Sequence, residues 1–235
     1  MVKIRSFFLE QTKSTNSEIK KIYENYRLND SIGLLTKIQS EGRGRGVNIW
    51  KSSEGDLMCS LLIHQNFNTL DFSKLNIIIS VFIINTLRLV FSNLDFKIKW
   101  PNDIFVDEKK IGGILIENSI KNNIIEYIII GFGLNIVSNP ENLNYSTTKI
   151  SNFTKTIKPR KIYTALIDYF EKNSLSNAIT NFDYFKEKWL KYYKDKGKVR
   201  KFNTKNTSIV GKLHSISNDG KIKIITKCDT VVLKF

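Results

Sequence analysis

The sequence has few of the residues on which many catalytic and structural sites depend. Its 235 residues include 2 cysteines and 2 histidines. Cys59 and Cys228 form no CxxC pair, so neither a disulfide framework nor a redox motif is indicated. Both lie in alternating apolar segments and are predicted to be buried. His64 and His214 stand alone, which argues against a zinc site.

Targeting segments and long apolar runs are also missing. Residues 1–5 have neither the apolar stretch nor the small-residue cleavage site of a signal peptide. The longest apolar run, residues 75–90, is interrupted by two asparagines, a serine and an arginine, and is too short to span a bilayer. We therefore predict a core helix, no membrane association and a cytoplasmic location.

Acidic residues are scarce relative to basic ones. The 37 lysines and arginines exceed the 22 acidic residues by 15, which gives a net charge of +15. Such a charge is typical of nucleic-acid-binding proteins or of proteins with acidic partners. Because the lysines are spread along a chain that is also rich in Asn and Ile, compositional drift is the favoured explanation. The excess charge would still attract ATP or an acidic protein surface.

Hydrophobic periodicity predicts an α+β protein. Thr15 to Glu18 fits a capping box that opens a helix to about Leu28. Further helices are predicted over 70–94, 159–173 and 182–193. Strands are predicted over 3–10, 32–38, 57–63, 96–100, 104–106, 111–117 and 124–130.

The composition changes near residue 195. Four short β-like segments follow, over 199–202, 208–216, 221–226 and 230–235, with a hairpin turn at 218–220. We predict a larger domain over 1–194 and a small β domain over 195–235. Some 40 residues barely form a core alone, so the small domain is expected to pack against the larger one.

A short glycine–arginine run, Gly42–Gly46, lies between two predicted strands and precedes Trp50. Its glycines let the backbone approach a ligand closely, and Arg43 and Arg45 offer planar, paired donors to phosphate or carboxylate groups. The run matches neither a Walker A loop nor a dinucleotide fingerprint. The alternative is an exposed flexible turn.

The segment Lys99-Trp100-Pro101-Asn102-Asp103 ends a predicted strand in a rigid turn. Its amide and carboxylate suit Mg²⁺, a ribose or the polar atoms of a ligand. Because Asn and Asp commonly stabilise turns after proline, simple turn chemistry is the favoured alternative for this segment taken alone.

Glycines interrupt two further strand patterns, at 112–113 after Lys110 and at 131–133 before Asn135. Glycine inside a strand lowers its stability, so a ligand lying flat against the backbone is one explanation. A β-bulge or corner is the other. The pattern also predicts that the second strand ends before Gly131.

The order and spacing of these segments resemble those of biotin–protein ligases. The resemblance rests on Ser14-Thr15-Asn16, on Gln39 with the glycine–arginine run and Trp50, on KWPND, on KIGGILIE and on GFGLN. It runs from about Ser14 to Asn135, and the β-rich tail is similar to the small C-terminal SH3-like domain of that family. The sequence departs from a common bacterial pattern at Val47 and Asn48, where it is closer to eukaryotic relatives.

The resemblance implies a fold and roles for particular residues. The fold would be a mixed sheet flanked by helices, like that of class II aminoacyl-tRNA synthetases, plus a small SH3-like β-barrel. Biotin would be bound by Ser14, Thr15, Asn16, Gln39, Gly42, Arg43, Lys110 and Gly113. ATP would be bound by Arg43, Arg45, Trp50, Trp100, Asn102, Asp103 and Asn135. The catalytic residues would be Lys110, Arg45 and Asp103, with Asp103 also a ligand of Mg²⁺.

The implied activity is formation of biotinyl-5′-AMP from biotin and ATP, followed by transfer of biotin to a lysine of a biotin carboxyl carrier domain of acetyl-CoA or a related carboxylase. About 13 residues precede Ser14, too few for a helix-turn-helix module. We therefore expect a single-function ligase without sequence-specific DNA binding, present as a monomer or homodimer. The alternatives are a lipoate–protein ligase and, in another class, a basic nucleic-acid-binding protein.

Overall fold

The computed structural model of the chain describes residues 2–26, 28–141, 145–155, 157–203 and 208–233. The helices are α1 (Thr15–Asn25), α2 (Phe72–Val90), α3 (Pro159–Lys172), α4 (Leu175–Thr180) and α5 (Phe182–Tyr192). Two short 3₁₀ turns, Thr69–Asp71 and Ile150–Asn152, accompany them. The strands are β1 (Ile4–Thr12), β2 (Ser31–Gln39), β3 (Leu57–Asn68), β4 (Lys97–Lys99), β5 (Asp103–Val106), β6 (Lys109–Lys121), β7 (Ile124–Leu134), β8 (Arg200–Asn203), β9 (Ser208–Ile216), β10 (Ile222–Ile225) and β11 (Thr230–Leu233).

A seven-stranded mixed sheet forms the centre, in the order β1-β2-β3-β7-β6-β5-β4. Strands β1 and β2 are parallel, and every other neighbouring pair in this sheet is antiparallel. Strand β5 pairs with β6 only as far as Gly113, whereas β7 pairs with β6 as far as Lys121. The second half of β6 therefore lies beyond the end of β5.

Helices cover both faces of the sheet. On one face, Ile19 of α1 packs with Ile32, Leu62 and Ile129 of three strands. On the other, α2 packs with α3, α4 and α5 over the main core. These layers confirm the predicted α+β architecture, a mixed sheet flanked by helices.

The C-terminal strands form a four-stranded antiparallel sheet, in the order β11-β10-β9-β8. Its apolar face joins the main hydrophobic core, and the ring centroids of Phe202 and Trp100 are 5.9 Å apart. At the predicted hairpin turn, Gly220 lies against helix α2, so that an added Cβ would be 2.4 Å from the backbone nitrogen of Lys74. The small sheet thus packs against the larger unit, while the boundary between 194 and 195 stays a prediction.

The prediction that glycines end the seventh strand is wrong. Strand β7 continues through Gly131 and Gly133 to Leu134 and stays paired with β3 and β6. The space of the absent side chains is occupied by neighbours. A Cβ on Gly131 would be 2.4 Å from Oδ1 of Asn16, and one on Gly133 would be 2.4 Å from the indole of Trp50. The glycines permit close approach rather than breaking the strand.

The predicted capping box of the first helix is also wrong. Ser14, not Thr15, is the N-cap residue of α1, and its side chain makes no capping hydrogen bond. Thr15 is engaged elsewhere, because its backbone N–H and its hydroxyl both donate to Oε1 of Gln39, at 2.8 and 3.1 Å. The helix ends at Asn25, three residues before the predicted Leu28.

Other predictions need smaller corrections. Helix α4 was not predicted, because six residues carry too little periodicity. Cys59 is buried as predicted, but Cys228 is exposed in the turn between β10 and β11. Residues 230–233 form the predicted last strand, and the remainder of that prediction, 234–235, lies outside the described residues.

Length alone does not exclude a membrane span for the segment Thr69–Val90. The segment has 22 residues and its most apolar window has a mean hydropathy of 1.5, so it is long and apolar enough to cross a bilayer. Residues 75–90 alone are too short to span a bilayer, but the helical segment begins at Thr69, so its length is sufficient. Burial supports the core assignment instead, since 61% of the apolar window is buried and α2 packs between the sheet and the other helices.

Candidate active site

A cavity of about 1050 Å³ lies on the α1 side of the sheet, between the start of α1 and the glycine–arginine segment. We call residues 42–50 the flap. Of the 14 predicted site residues, 11 line the cavity: Ser14, Thr15, Asn16, Gln39, Arg43, Arg45, Trp50, Asn102, Asp103, Lys110 and Gly113. The fold therefore brings together residues that lie almost 100 positions apart in the sequence.

Hydrogen bonds within the flap give it the form of a turn. The backbone N–H of Trp50 donates to the carbonyl of Gly42 at 2.8 Å, and that of Gly44 donates to the carbonyl of Asn48 at 2.7 Å. Asn48, where the sequence departs from the common bacterial pattern, also donates through Nδ2 to the carbonyl of Arg45 at 2.9 Å. Gly42 does not line the cavity but closes the base of the flap, since a Cβ there would be 2.3 Å from the carbonyl oxygen of Trp50.

The indole of Trp50 lies flat on two strands. Gly113 of β6 and Gly133 of β7 are paired in register. A Cβ on Gly113 would be 3.3 Å from the ring, and one on Gly133 would be 2.4 Å from it. A ligand against these glycines stays a prediction, because in this structure the side chain of Trp50 occupies that space.

Lys110 is surrounded by one carboxylate and two aromatic rings. Its Nζ is 2.6 Å from Oδ1 of Asp103. The same atom is 5.7 Å from the centroid of Trp50 and 5.2 Å from that of Tyr145. Only 14% of the Lys110 side chain is exposed, so its charge acts in a partly dehydrated environment. Tyr145 was not predicted, because no motif contains it.

Polar side chains at the start of α1 form the opposite end of the cavity. Asn16 donates through Nδ2 to Oε2 of Glu117 at 2.7 Å, and its Oδ1 accepts from the hydroxyl of Ser60 at 2.6 Å. Thr15 and Gln39 are joined by the two hydrogen bonds described above. Ser60 and Glu117 were not predicted as site residues, although Glu117 is the last residue of the KIGGILIE segment.

The two flap arginines have different surroundings. Arg43 forms a two-pronged ion pair with Glu117, with N–O distances of 3.0 and 2.8 Å. Arg45 has no ion pair among the described residues, and its guanidinium lies 5.7 Å from the ring centroid of Trp100. Desolvation by burial lowers the pKa of Arg45 from its ordinary value, yet an arginine stays protonated near neutral pH.

Two predicted ATP-binding residues lie behind the cavity rather than on its surface. Trp100 is buried between Arg45 and Phe202. Asn135 is 2% exposed and donates through Nδ2 to the carbonyl of Thr148 at 3.0 Å. Its buried Oδ1 accepts no hydrogen bond from the described residues.

Metal-ligating groups are sparse. Within the described ranges, no three residues among His, Cys, Asp and Glu come close enough together to hold a metal ion. Asp103 is the acidic side chain on the cavity lining, next to the amide of Asn102. One carboxylate beside an amide suits Mg²⁺ when substrate phosphates and water complete the coordination.

Comparison with known proteins agrees with this geometry. A sequence model of the biotin/lipoate A/B protein ligase family matches residues 8–135, more than half of the chain. The chain belongs to this family. The matched segment contains every predicted site residue, from Ser14 to Asn135.

Similar proteins include curated members of the family. The bifunctional ligase/repressor BirA of Bacillus spizizenii is 26% identical over 195 residues, which cover 80% of this chain and 60% of that protein. The biotin–protein ligase of Homo sapiens is 32% identical over 114 residues, covering 46% of this chain and 16% of that protein. The chain thus spans about 60% or less of the length of these relatives, and the expectation of a single-function form stays a prediction.

Solved structures show the same fold. The biotin protein ligase of Aquifex aeolicus in complex with biotin and ATP superposes with a TM-score of 0.80 at 23% identity, covering 98% of this chain and 96% of that one. A Leishmania major biotin protein ligase in complex with biotinyl-5-AMP superposes with a TM-score of 0.58 at 24% identity, with 98% of each chain covered.

Proposed function

We propose that the protein is an ATP-dependent biotin–protein ligase that forms biotinyl-5′-AMP and transfers biotin to a lysine of a carrier domain. The observation that carries the proposal is the presence of Lys110, Arg43 and Arg45 on one cavity that hydrogen-bonding side chains at the start of α1 also line. The names of the relatives and of the superposed structures support the choice of substrate.

Biotin has a polar ureido ring, an apolar chain and a carboxylate, and the cavity offers groups for each in that order. Ser14, Thr15, Asn16 and Gln39 supply donors and acceptors at one end. The glycine floor at 113 and 133 and the ring of Trp50 supply an apolar middle. Lys110 supplies a cation at the other end. This order of polar, apolar and cationic groups favours biotin bound lengthwise along the sheet.

The first half-reaction joins two anions, the biotin carboxylate and the α-phosphate of ATP. One pair of unit charges 4 Å apart repels by about 1 kcal/mol in water and by about 4 kcal/mol near a protein surface. Lys110 and Arg45 would offset this repulsion and stabilise the charge that develops on the phosphate in the transition state. No protein nucleophile is required, because the biotin carboxylate itself attacks the α-phosphorus and displaces pyrophosphate.

Mg²⁺ would enter with the nucleotide. It would neutralise part of the phosphate charge when bound. Asp103 and Asn102 are the residues that would hold it, in keeping with the donor set described above. The ion pair between Asp103 and Lys110 would hold both side chains at the reacting end of the cavity.

The adenylate product is a reactive mixed anhydride that water would hydrolyse. The flap covers the cavity from Arg43 to Trp50 and would exclude water from this intermediate. Because backbone hydrogen bonds join Gly42 to Trp50 and Gly44 to Asn48, the flap would open as a unit about Gly42 and Trp50.

In the second half-reaction, the lysine amine of the acceptor attacks the carbonyl of the anhydride and displaces AMP. Free lysine titrates near pH 10.4, so the amine must lose a proton in the site. Asp103, on the cavity surface beside Lys110, would take this proton.

The protein that accepts biotin would be a biotin carboxyl carrier domain of acetyl-CoA or a related carboxylase, and the net charge of +15 favours an acidic one. We further propose a cytoplasmic monomer or homodimer without sequence-specific DNA binding.

The deciding experiment is incubation with MgATP, a carrier domain and either biotin or lipoate, followed by mass spectrometry of the carrier. The proposal predicts a mass increase equal to one biotinyl group on one lysine. Lipoylation without biotinylation would assign the protein to the lipoate branch of the family. Modification of neither kind, together with tight and salt-resistant binding to a defined DNA site, would favour a nucleic-acid-binding function.

A further inference from the structure

Glu117 connects the flap to both the sheet and helix α1. It lies on β6 opposite Ile129 of β7, in the part of β6 that extends beyond β5. Its Oε1 accepts from Arg43, and its Oε2 accepts from both Arg43 and Asn16, at 2.8 and 2.7 Å. Glu117 does not line the cavity, whereas Arg43 and Asn16 both do. It therefore stands behind two predicted biotin-binding residues and holds them in place.

The position of Asn16 is itself closely defined. Its Oδ1 accepts from Ser60 at 2.6 Å and lies where a side chain on Gly131 would be. Because Asn16 is fixed by the sheet, the shared carboxylate of Glu117 transmits that fixed position to Arg43. Arg43 also reaches Oγ of Ser14 through Nε at 3.4 Å. The guanidinium thus joins the flap to the same end of the cavity as the start of α1.

The ion pair between Arg43 and Glu117 is suited to a reversible contact. Two parallel N–H···O bonds define one geometry and are stronger than a single-point contact. The two side chains remain 44% and 34% exposed, so water and ligand anions can compete with the pair. Arg45 has no such partner among the residues described, so only the first flap arginine is fastened in this way.

We propose that Glu117 is a positioning residue that latches the flap through Arg43 and thereby retains the adenylate between the two half-reactions. The inference rests on the proposed function. It assigns to Glu117 no contact with substrate: its carboxylate acts by keeping Arg43 on the biotin end of the cavity. Loss of the charge at Glu117 is expected to speed opening of the flap, and with it the escape of biotinyl-5′-AMP into solution.

The test measures the rate at which preformed, labelled adenylate dissociates from the enzyme in an excess of unlabelled biotin. Glu117→Gln keeps an oxygen acceptor for Asn16 but removes the counter-charge of Arg43. It is expected to release adenylate about three- to fivefold faster than the unmodified protein. Glu117→Asp keeps the charge and should release adenylate more slowly than Glu117→Gln. Glu126→Gln is the matched control, because Glu126 pairs only with Lys121, at 4.0 Å, among the described residues.

The outcomes separate the two proposals. Release from Glu117→Gln at the unmodified rate would overturn the latch and leave the proposed function intact. Failure of the unmodified protein to form any adenylate would overturn the proposed function and the latch with it. If Glu117→Gln does not fold, Glu117→Asp replaces it. The shorter Asp side chain holds Arg43 less closely, so this variant should release adenylate faster than the unmodified protein and the Glu126→Gln control.

Discussion

Gly113 and Gly133 face each other across β6 and β7, and the indole of Trp50 lies on both. The two glycines differ in clearance, since an added Cβ would be 3.3 Å from the ring at Gly113 but 2.4 Å at Gly133. The floor of the cavity therefore requires glycine at both positions, and the requirement is stricter at Gly133 than at Gly113.

Alanine substitutions at these glycines should differ in severity. Gly133→Ala forces the indole off the sheet, which is expected to cost about 1–3 kcal/mol of stability through overpacking and to weaken biotin binding. Gly113→Ala needs a shift of only a few tenths of an ångström and should cost less. Biotin titrations followed by tryptophan fluorescence would measure both effects. Equal affinity in the two variants would contradict the close packing of Trp50 on Gly133 as a determinant of biotin binding.

Lys110 should contribute to adenylate formation through its charge. Lys110→Ala is expected to slow biotin-dependent pyrophosphate release by on the order of 10²-fold, because the transition state loses a partly dehydrated cation. Lys109→Ala is the matched control, since Lys109 is the exposed neighbour on the same strand. Near-normal pyrophosphate release by Lys110→Ala would remove Lys110 from its proposed role.

The hairpin of the small sheet should stabilise the whole chain. Gly220→Ala introduces a side chain at a φ of +80° and 2.4 Å from the backbone of Lys74 on α2. Gly197→Ala also places a side chain at positive φ, +74°, but no described atom lies within 4 Å of it. The control should lower the free energy of unfolding by about 1 kcal/mol from backbone strain alone. Thermal unfolding should show a clearly larger loss for Gly220→Ala, and equal losses would contradict the packing of the small sheet on α2.

Asp219 should make stability depend on acidic pH. Hydrogen bonds from Lys221 and Ser217 lower the pKa of Asp219 to about 2 from an ordinary value of 3.8. A lowered folded-state pKa means that the stabilisation is complete above pH 3.8 and is lost as the pH falls to about 2. Asp219→Asn should therefore lower the melting temperature slightly at pH 6, and the difference should disappear near pH 2. The effect is small because the side chain is 47% exposed. A difference that grows on acidification would contradict this assignment.

The sequence predicted most of the elements because their periodicity is local. Strand β9 was predicted at its observed bounds, and α3 and α5 were predicted to within one residue. The continuation of β7 through Gly131 was not predictable, because the space beside that glycine is filled by the side chain of Asn16, more than 100 positions away. A glycine pattern shows that space is needed but not which neighbour occupies it.

The candidate site was likewise predictable only in part. Residues that carry recognisable chemistry, such as Arg43 and Lys110, were predicted from motifs and lie on the cavity. Glu117 and Ser60 were missed because their importance comes from partners that only the fold brings near. Trp100 belongs to a motif yet lies behind the cavity, so a motif indicates the neighbourhood of a site more reliably than the position of each side chain.

The central claim is that this cavity activates biotin as an adenylate. The most direct test is the exchange of labelled pyrophosphate into ATP in the absence of any carrier protein. We expect exchange that requires both biotin and Mg²⁺ and that falls by about two orders of magnitude in Lys110→Ala. Exchange that proceeds equally well without biotin, or no exchange at all by the folded protein, would contradict the account.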